Sequence, residues 1–526
     1  MSATVTPAEV RTPSILREEI ALLDVREEFH FAHAHPLFAA NLSLSQLELD
    51  IGRRVPRRDT PVVVYDNGEG FAEIAAARMG ALGYTRVRRL QGGLQGWADA
   101  GYELFQDVNS YSKAFGELVE ARRHTPSLPA QELQARLNRR EDLVVLDARR
   151  FDEYQTMSIP TGVSVPGAEL VLRARTLAPD PSTTIIVNCA GRTRSLIGAQ
   201  SLINAGVPNP VYALRNGTIG WTLAGQTLDH GQGHRAPRPS PERAAKAAAQ
   251  SREVSYRAGV RHISPTDLTH LAADARRTLY RFDVRSPEEF EAWRPNGFLS
   301  APGGQLVQET DMFAPVRGAR IVLFDDFGAR ADMTASWLAQ MGWDVFVLDG
   351  LPLEDTAHAP VPEPAAPDVG TVTTDALDAL LRDDAVTLID LGPSPAYRRG
   401  HIPGAAFAIR SRLPEALSAV RDRGLGDRPV VLTAPDVRLA RFAAADVAAV
   451  TGVAPRVLDG GTPAWTRDGR RLEAGNGAPL TPFEDVYRRP YEGADNPAEA
   501  MQAYLDWEFG LVAQLERDGS HGFFVI

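Results

Sequence analysis

The residue in this sequence that is best suited to covalent chemistry is Cys189, the one cysteine among 526 residues. It follows a β-branched run at 185–187, which is typical of a buried strand, and it precedes apolar residues with helical spacing at 196–205. A loop that leads into a helix start presents unpaired backbone N–H groups toward one point, where the helix dipole also favours negative charge. We therefore expect Cys189 to be reached by solvent, to ionise readily and to attack an anionic electrophile.

A lone cysteine after an apolar strand is otherwise most often a small buried hydrophobic residue. Here, however, the loop contains Gly191, Arg192 and Arg194 directly after the cysteine. Two arginines and a glycine are poor material for a core, and nearby positive charge lowers the pKa of a thiol. The composition of the loop therefore favours a reactive Cys189 over a structural one.

The segment from Cys189 to Ser195 resembles the active-site loop of the rhodanese family of sulfurtransferases. The resemblance implies that Cys189 carries a sulfane sulfur as a persulfide and that the amides of the loop hold it. The predicted substrate-binding residues are the six that follow the cysteine: Ala190, Gly191, Arg192, Thr193, Arg194 and Ser195. The two arginines are expected to attract the donor, with the alternative that one of them forms an ion pair within the fold. Asp147 and Arg149, at the end of another strand, are expected to brace the loop.

The length of this loop separates two chemistries. A cell-cycle dual-specificity phosphatase and some arsenate reductases share the rhodanese fold, but they use a longer loop with the anion-binding arginine six residues after the cysteine. In this sequence Arg194 comes five residues after Cys189, and position 195 is serine. A ring that is one residue smaller should fit a sulfur atom rather than a whole phosphate group, which favours sulfur transfer.

The elements that position this loop occur four times along the chain. Each unit has an apolar strand that ends in an acidic residue, then a second apolar strand and a helix. The acidic residues that end the first of these strands are Asp24, Asp147, Asp283 and Asp390. An acidic–aromatic pair follows in three of the units: Glu28-Phe29, Glu153-Tyr154 and Glu289-Phe290. This alternation predicts an α/β fold with a mainly parallel sheet flanked by helices in each unit, and the resemblance implies four tandem rhodanese-like domains. Ligands in such sheets bind beyond the carboxyl ends of the strands.

We divide the chain into units one to four, two linkers and a tail. The predicted boundaries are 1–110 for unit one, 125–232 for unit two, 233–260 for a linker helix, 261–353 for unit three, 354–368 for a second linker, 369–476 for unit four and 477–526 for a helical tail. The linker helix is expected to be exposed, with a proline at its start, and the second linker to be an extended spacer rich in proline and alanine. In the tail, the pattern at 498–515 predicts an amphipathic helix that packs on a domain or a partner, and the apolar end at 523–526 is a candidate docking element.

The predicted nucleophile is present in unit two alone. At the corresponding position, unit one has Asp66, unit three has Asp325 and unit four has Ala434. A carboxylate cannot accept a sulfane sulfur, and alanine offers no nucleophile, so we expect these three units to be inert as sulfurtransferases. They serve either as scaffold or, as the alternative, to build a substrate cleft or to hold a sulfur-accepting partner.

The composition, with 44% hydrophobic and 23% charged residues, is that of a globular protein. A net charge of −11 does not favour binding to nucleic acid or to an anionic membrane. A single cysteine excludes an intramolecular disulfide and a cysteine-rich metal site, and no metal or other cofactor is implied. The chain start lacks a signal-peptide pattern and no apolar run is long enough to span a membrane, so we expect a cytoplasmic location.

Together these features predict a sulfurtransferase that moves a sulfane sulfur from a small anionic donor, such as thiosulfate, to cyanide or a thiol. The sulfur would pass through a persulfide on Cys189, and a sulfur-accepting protein is a further candidate partner. Two alternatives stay open: a noncatalytic sulfur carrier or interaction scaffold and, less favoured, a phosphatase or arsenate reductase on the same fold.

The short loop leads us to predict that aryl phosphates are not hydrolysed, because a cradle of this size cannot surround a tetrahedral phosphate. The release of nitrophenol from p-nitrophenyl phosphate measures this activity, with Cys189→Ala as the background control. Release that depends on Cys189 would contradict the prediction and favour a phosphatase.

Overall fold

The computed structural model describes residues 3–352, 364–493 and 495–526. Four sheets share one order of strands, in which the first strand of a unit lies beside its fifth, followed by the fourth, second and third. Within each unit all of these neighbours are parallel, and helices cover the sheets, so the predicted α/β fold is confirmed. The second predicted linker falls largely outside the described residues.

The elements of units one and two follow the repeated pattern. The strands are β1 (Thr4–Val5), β2 (Ile20–Asp24), β3 (Ala40–Asn41), β4 (Val62–Tyr65), β5 (Val87–Leu90), β6 (Ser127–Leu128), β7 (Leu143–Asp147), β8 (Val163–Ser164), β9 (Thr184–Asn188) and β10 (Val211–Leu214). The helices are α1 (Pro7–Leu16), α2 (Glu28–His33), α3 (Leu47–Arg54), α4 (Phe71–Ala81), α5 (Gly93–Asp99), α6 (Ser110–Arg123), α7 (Ala130–Asn138), α8 (Phe151–Thr156), α9 (Leu170–Leu177), α10 (Thr193–Asn204) and α11 (Gly217–Leu223).

The rest of the chain repeats the pattern twice and ends in a helix. The strands are β11 (Arg261–Ile263), β12 (Leu279–Asp283), β13 (Leu299–Ser300), β14 (Val316–Arg317), β15 (Arg320–Phe324), β16 (Asp344–Leu348), β17 (Thr371–Val372), β18 (Thr387–Asp390), β19 (Ala406–Phe407), β20 (Val430–Thr433) and β21 (Arg456–Leu458). The helices are α12 (Pro241–Arg257), α13 (Pro265–Ala273), α14 (Pro287–Ala292), α15 (Gly303–Gln308), α16 (Thr310–Phe313), α17 (Ala329–Gln340), α18 (Thr374–Arg382), α19 (Ser394–Arg399), α20 (Leu413–Asp422), α21 (Val437–Thr451), α22 (Gly461–Arg467) and α23 (Ala498–Asp518).

Strand β9 shows how the sequence produces these sheets. Ile185, Ile186 and Val187 are fully buried, and successive side chains of a strand point to opposite faces. Ile185 and Val187 belong to one hydrophobic cluster and Ile186 to another, so both faces of the sheet are covered. A continuous β-branched run is therefore stable at the centre of unit two.

Units one and three share both a sheet edge and a core. Strand β14 of unit three pairs antiparallel with β2, which places Val316 opposite Ala21. A single hydrophobic cluster contains Leu23 of unit one together with Ile321 of unit three. The two units are therefore joined by buried apolar contacts as well as by backbone hydrogen bonds.

The linker helix is more buried than its sequence indicated. Helix α12 begins after Ser240, whose side chain accepts a hydrogen bond from the N–H of Arg243, and runs to residue 257. Ala244, Ala247 and Val254 are buried against neighbouring helices, among which α17 makes the most extensive contact. The prediction of an exposed helix is wrong, because its alanines let the backbones of adjacent helices approach closely.

The tail packs on the body of the same chain. Helix α23 lies against α6, and the N–H of Phe524 donates to the carbonyl oxygen of Gln340 at 3.0 Å. Phe523 contacts the ring of Phe115, with the ring centres 5.3 Å apart, so the apolar end completes an internal core. Within the described ranges, no helix combines the length and the apolar character that crossing a bilayer requires.

A buried ion pair links unit four to unit one. The Nη1 and Nη2 atoms of Arg410 donate to the carboxylate of Glu48 at 2.7 and 2.9 Å, and both side chains are buried. An ion pair removed from water contributes little beyond its own desolvation cost, but removing one partner leaves an uncompensated charge. Arg410 is therefore a sensitive point of this interface.

We predict that Arg410→Ala lowers the free energy of unfolding by about 3 kcal/mol, because the buried Glu48 loses two hydrogen bonds and shares its remaining ion-pair partner, Arg78, with Asp446. The matched control is Arg382→Ala, which removes an ion pair with Asp378 on the surface and should leave stability almost unchanged, because solvent screens that pair. Denaturant unfolding followed by tryptophan fluorescence measures both changes. Equal losses in the two variants would contradict the prediction.

Candidate active site

The structure places Cys189 beyond the carboxyl end of β9, in the loop that leads into α10. Thr193 is the first residue of α10, so the amides of this loop lie at a helix start. In the parallel sheet, Asp147 at the end of β7 stands directly beside Asn188 at the end of β9. The cysteine loop and the carboxylate expected to support it therefore meet at one edge of the sheet of unit two.

Asp147 and Arg149 form a buried, hydrogen-bonded pair beside the loop. The Nε and Nη2 atoms of Arg149 donate to the two carboxylate oxygens of Asp147 at 2.9 and 2.7 Å. The same Nη2 donates to the carbonyl oxygen of Met157 at 2.6 Å, and Asn188 Nδ2 donates to Asp147 Oδ2 at 2.9 Å. Because Asn188 directly precedes Cys189, this network holds the point at which the chain leaves the strand.

The first two carbonyl groups of the loop are bound by the start of α11. The N–H of Thr218 donates to the carbonyl oxygen of Cys189 at 2.9 Å, and the N–H of Ile219 donates to that of Ala190 at 3.0 Å. Gly217 permits this close approach, since its φ is +53° and a Cβ there would lie 2.3 Å from the oxygen of Cys189. These carbonyl oxygens therefore point toward α11, and the loop has not collapsed with them inward.

Units one and three show what this type of loop binds when aspartate replaces the cysteine. In unit one, the carboxylate of Asp66 accepts hydrogen bonds from the N–H groups of Gly68 at 3.1 Å and Ala72 at 3.0 Å. In unit three, the carboxylate of Asp325 accepts from the N–H of Arg330 at 2.8 Å. Each carboxylate is thus an anion held by backbone amides of its own loop, as in other anion-binding backbone turns.

Both arginines of the cysteine loop are ion-paired within the fold. The Nε and Nη2 atoms of Arg192 donate to the carboxylate of Glu117 at 2.8 and 2.9 Å, and Nη2 also contacts Glu120. The Nη1 and Nη2 atoms of Arg194 donate to the carboxylate of Glu153 at 2.7 and 2.9 Å. The alternative left open by the sequence therefore holds for both residues, and their charges are largely compensated by carboxylates.

The partner of Arg194 could have been found from the repeat. Glu153 is the acidic member of the acidic–aromatic pair in unit two, and Glu289 is its counterpart in unit three. Glu289 accepts a hydrogen bond from Arg330 Nη1 at 2.6 Å, which is the equivalent ion pair. Although burial opposes it, the Arg194 charge lowers the pKa of Glu153 to about 2, so this carboxylate stays ionised and holds the arginine in place.

Cys189 itself is buried, with 2% of its surface exposed. Burial raises the pKa of its thiol, although the charge of Arg194 and hydrogen bonding by Ser195 act in the opposite direction. The prediction of a solvent-reached and readily ionised thiol is therefore wrong for this conformation. The physical reason is that desolvation penalises the thiolate more than the loop stabilises it, since another part of the chain covers the loop.

That cover is helix α23 of the tail. Gly191 lies against Glu508 Oε2 and Tyr504 Cε1, each 3.1 Å from the position that a Cβ would occupy. Ala190 packs in a hydrophobic cluster that includes Met501 of the same helix. These tail residues were absent from the predicted site, because an amphipathic pattern indicates that a helix has a buried face but not which surface it meets.

The corresponding loop of unit four has Ala434 at the cysteine position, so it offers neither a thiol nor a carboxylate there. At the start of α21, the carboxylate of Asp436 instead accepts a hydrogen bond from the N–H of Arg438 at 2.9 Å. In the part of the chain that the structure describes, no group of three His, Cys, Asp or Glu side chains is arranged to hold a metal ion. The thiol of Cys189 is therefore the candidate reactive group of this site.

Comparisons with known proteins give a consistent result. The family model of the rhodanese-like domain matches residues 6–100, 129–224 and 373–468. The crystal structure of a thiosulfate sulfurtransferase from Pseudomonas aeruginosa is 58% identical, with 100% of both chains covered and a TM-score of 0.96. A rhodanese-related protein from Thermoplasma volcanium is 22% identical, covering 20% of this chain and 99% of its own with a TM-score of 0.18. A search of curated proteins finds no match.

We predict that Gly217→Ala opens the cysteine loop, because the new Cβ would overlap the carbonyl oxygen of Cys189. The matched control is Gly206→Ala, which has a similar φ of +68° but no atom within 4 Å of its Cβ position. A local cost of about 1.4 kcal/mol would raise the open population about tenfold, and the rate at which iodoacetamide alkylates Cys189 should rise with it. Equal alkylation rates in the two variants would contradict the prediction.

Proposed function

Since the chain belongs to the rhodanese family, we propose that it is a sulfurtransferase in which Cys189 carries the transferred sulfur. The donor is a small anion such as thiosulfate, and the acceptor is cyanide or a thiol. Similarity over the full length to a thiosulfate sulfurtransferase supports this activity. The proposed cytoplasmic location rests on the sequence.

The observation that carries the proposal is the pair of aspartates in units one and three. Asp66 and Asp325 occupy the position of Cys189, and each places a carboxylate among the amides of its own loop. The corresponding loop of unit two carries a sulfur atom in that place. A loop built to hold negative charge suits the persulfide anion that sulfur transfer generates.

The chemistry follows from a thiolate at this position. The sulfur of Cys189 attacks the outer sulfur of thiosulfate, and the sulfur–sulfur bond of the donor breaks so that sulfite leaves with the electron pair. The enzyme then holds a persulfide anion on Cys189. Cyanide attacks the outer sulfur in the second step, which releases thiocyanate and regenerates the thiolate.

We assign the surrounding residues to supporting roles in this reaction. The amides of residues 190–195 hold the outer sulfur, and the charge of Arg194 favours the thiolate of Cys189 over the thiol. Asp147 and Arg149 keep the end of the strand in position. Arg192 donates from Nε and Nη2 to Glu117 and from Nη1 to the amide oxygen of Asn216 at 3.2 Å, so it positions the loop rather than binding the donor directly.

The burial of Cys189 means that the cover must move before a donor can bind. Helix α23 and the cysteine loop meet through Tyr504, Glu508 and Gly191, so displacement of this helix opens the site. A closed site protects a persulfide from water and from unspecific thiols between the two half-reactions.

A second candidate function is a noncatalytic sulfur carrier that loads Cys189 and delivers the sulfur to a protein partner. The observation that favours it is that the loops of the other units carry Asp66, Asp325 and Ala434 and so offer binding surface without chemistry. Mass spectrometry after treatment with thiosulfate separates the two functions. One added sulfur on Cys189 without turnover in the presence of cyanide would favour the carrier.

We predict that the enzyme follows ping-pong kinetics, so that initial-rate plots with thiosulfate and cyanide are parallel. Cys189→Ala should abolish the formation of thiocyanate, because neither half-reaction can occur without the sulfur nucleophile. Asp66→Asn, at the same position in unit one, is the matched control and should keep the rate, because the carboxylate of Asp66 accepts its hydrogen bonds from backbone N–H groups. Intersecting lines in the initial-rate plots, or an unreduced rate in Cys189→Ala, would contradict the proposal.

A further inference from the structure

An acid from the tail helix faces the sulfur-binding loop. Glu508 is fully buried, and its Oε1 accepts a hydrogen bond from the hydroxyl of Tyr504 at 2.9 Å. Its Oε2 lies 3.1 Å from the Cβ position of Gly191, two residues after Cys189. Among the described residues, Oε2 has no hydrogen-bond partner. A buried and unpartnered carboxyl oxygen thus lies against the loop that follows Cys189.

The charged groups near Glu508 form no hydrogen bond with its Oε2 atom. From helix α6 it is faced by Glu117 and Lys113, and from the cysteine loop by Arg192 and by Cys189 itself. Lys113 donates to a carboxylate oxygen of Asp107 at 2.8 Å, and Arg192 is held by Glu117. Both nearby cations are therefore already committed to other carboxylates.

These surroundings favour the neutral acid. Burial raises the pKa of Glu508 to about 8, and the carboxylate of Glu117 adds to this effect against the opposing influence of Lys113, Tyr504 and Arg192. Glu508 is therefore mostly protonated at neutral pH. A protonated carboxyl group has an O–H donor, whereas an ionised one can only accept.

We propose that Glu508, reaching over the loop from helix α23, donates a hydrogen bond to the anion bound at Cys189, either the thiosulfate or the persulfide. The proposal rests on the sulfurtransferase function. It makes the tail helix part of the substrate-binding site, since Glu508 adds a donor to those that the backbone amides supply. It also couples substrate binding to closure, because the donor reaches the anion only when α23 is in place.

The sign of the pH dependence follows from the two titrations. Loading with thiosulfate requires the thiolate of Cys189, and burial raises the pKa of this thiol above its ordinary value, so the thiolate fraction keeps rising with pH through pH 8. Once Glu508 ionises, it repels the anionic donor and the persulfide, so above about pH 8 this repulsion offsets the gain in thiolate and the rate levels off. The hydrogen bond from Tyr504 favours the ionised form of Glu508, so its removal should move the pH at which the rate levels off to a higher value.

The test is the rate of persulfide formation with thiosulfate alone, in single turnovers of the full-length protein between about pH 6 and pH 10. Thiosulfate does not titrate in this range, and mass spectrometry of Cys189 gives the readout. The variants are Glu508→Gln, whose amide donates at every pH, and Tyr504→Phe. Asp506→Asn, on the exposed side of the same helix, is the matched control. Thermal unfolding checks that each variant is folded.

In the wild type and in Asp506→Asn we expect a rate that rises with pH and levels off above about pH 8. In Glu508→Gln the rate should continue to rise above that pH, which leaves that variant about tenfold faster relative to the wild type one pH unit above the midpoint of the Glu508 titration. In Tyr504→Phe the rate should level off at a higher pH, a result that decides the matter even if Glu508→Gln does not fold.

Two results would overturn the inference while leaving the proposed function intact. One is a rate that still levels off near pH 8 in Glu508→Gln, and the other is a folded Glu508→Gln that no longer loads at any pH, because Glu508 would then act as a base. Failure of the wild type to form any persulfide would instead overturn the sulfurtransferase function itself.

Discussion

Backbone N–H groups that converge at the start of a helix need a negative partner, and this requirement shapes the site. In unit one the carboxylate of Asp66 supplies the charge, and in unit three the carboxylate of Asp325 does so. In unit two the same place belongs to the sulfur of Cys189. One backbone arrangement thus surrounds either a carboxylate or a thiol, according to a single side chain.

Units one and four, which lack the cysteine, share with unit two a close backbone contact beside the loop. Gly93 in unit one and Gly461 in unit four stand against the carbonyl oxygens of Asp66 and Ala434, as Gly217 stands against that of Cys189. This contact depends only on backbone atoms and on a positive φ, so it survives the loss of the nucleophile. Units one and four therefore keep this contact although they lack the cysteine, and both contribute to the core and ion pairs of the chain.

Burial governs the electrostatics of unit two. The two arginines of the loop are balanced by Glu117 and Glu153, and the thiol is desolvated beneath helix α23. A closed, low-dielectric site strengthens each remaining interaction with a bound anion, but it also penalises any unpaired charge. The balance explains why the thiol and the nearby acid both favour their neutral forms when the site is closed.

The sequence by itself determined the strand, the loop and the helix around Cys189, the five-residue spacing to Arg194 and the parallel sheets, since these depend on local periodicity and on residue types close together in the chain. It also contained the clue to Glu153, in a repeated pair whose role became visible only in space. The tertiary structure alone decided that α12 is buried, that the arginines are paired and that Glu508 covers the cradle. Those contacts join segments far apart in the chain, and a hydrophobic pattern states how much surface a helix must bury without stating which surface it will meet.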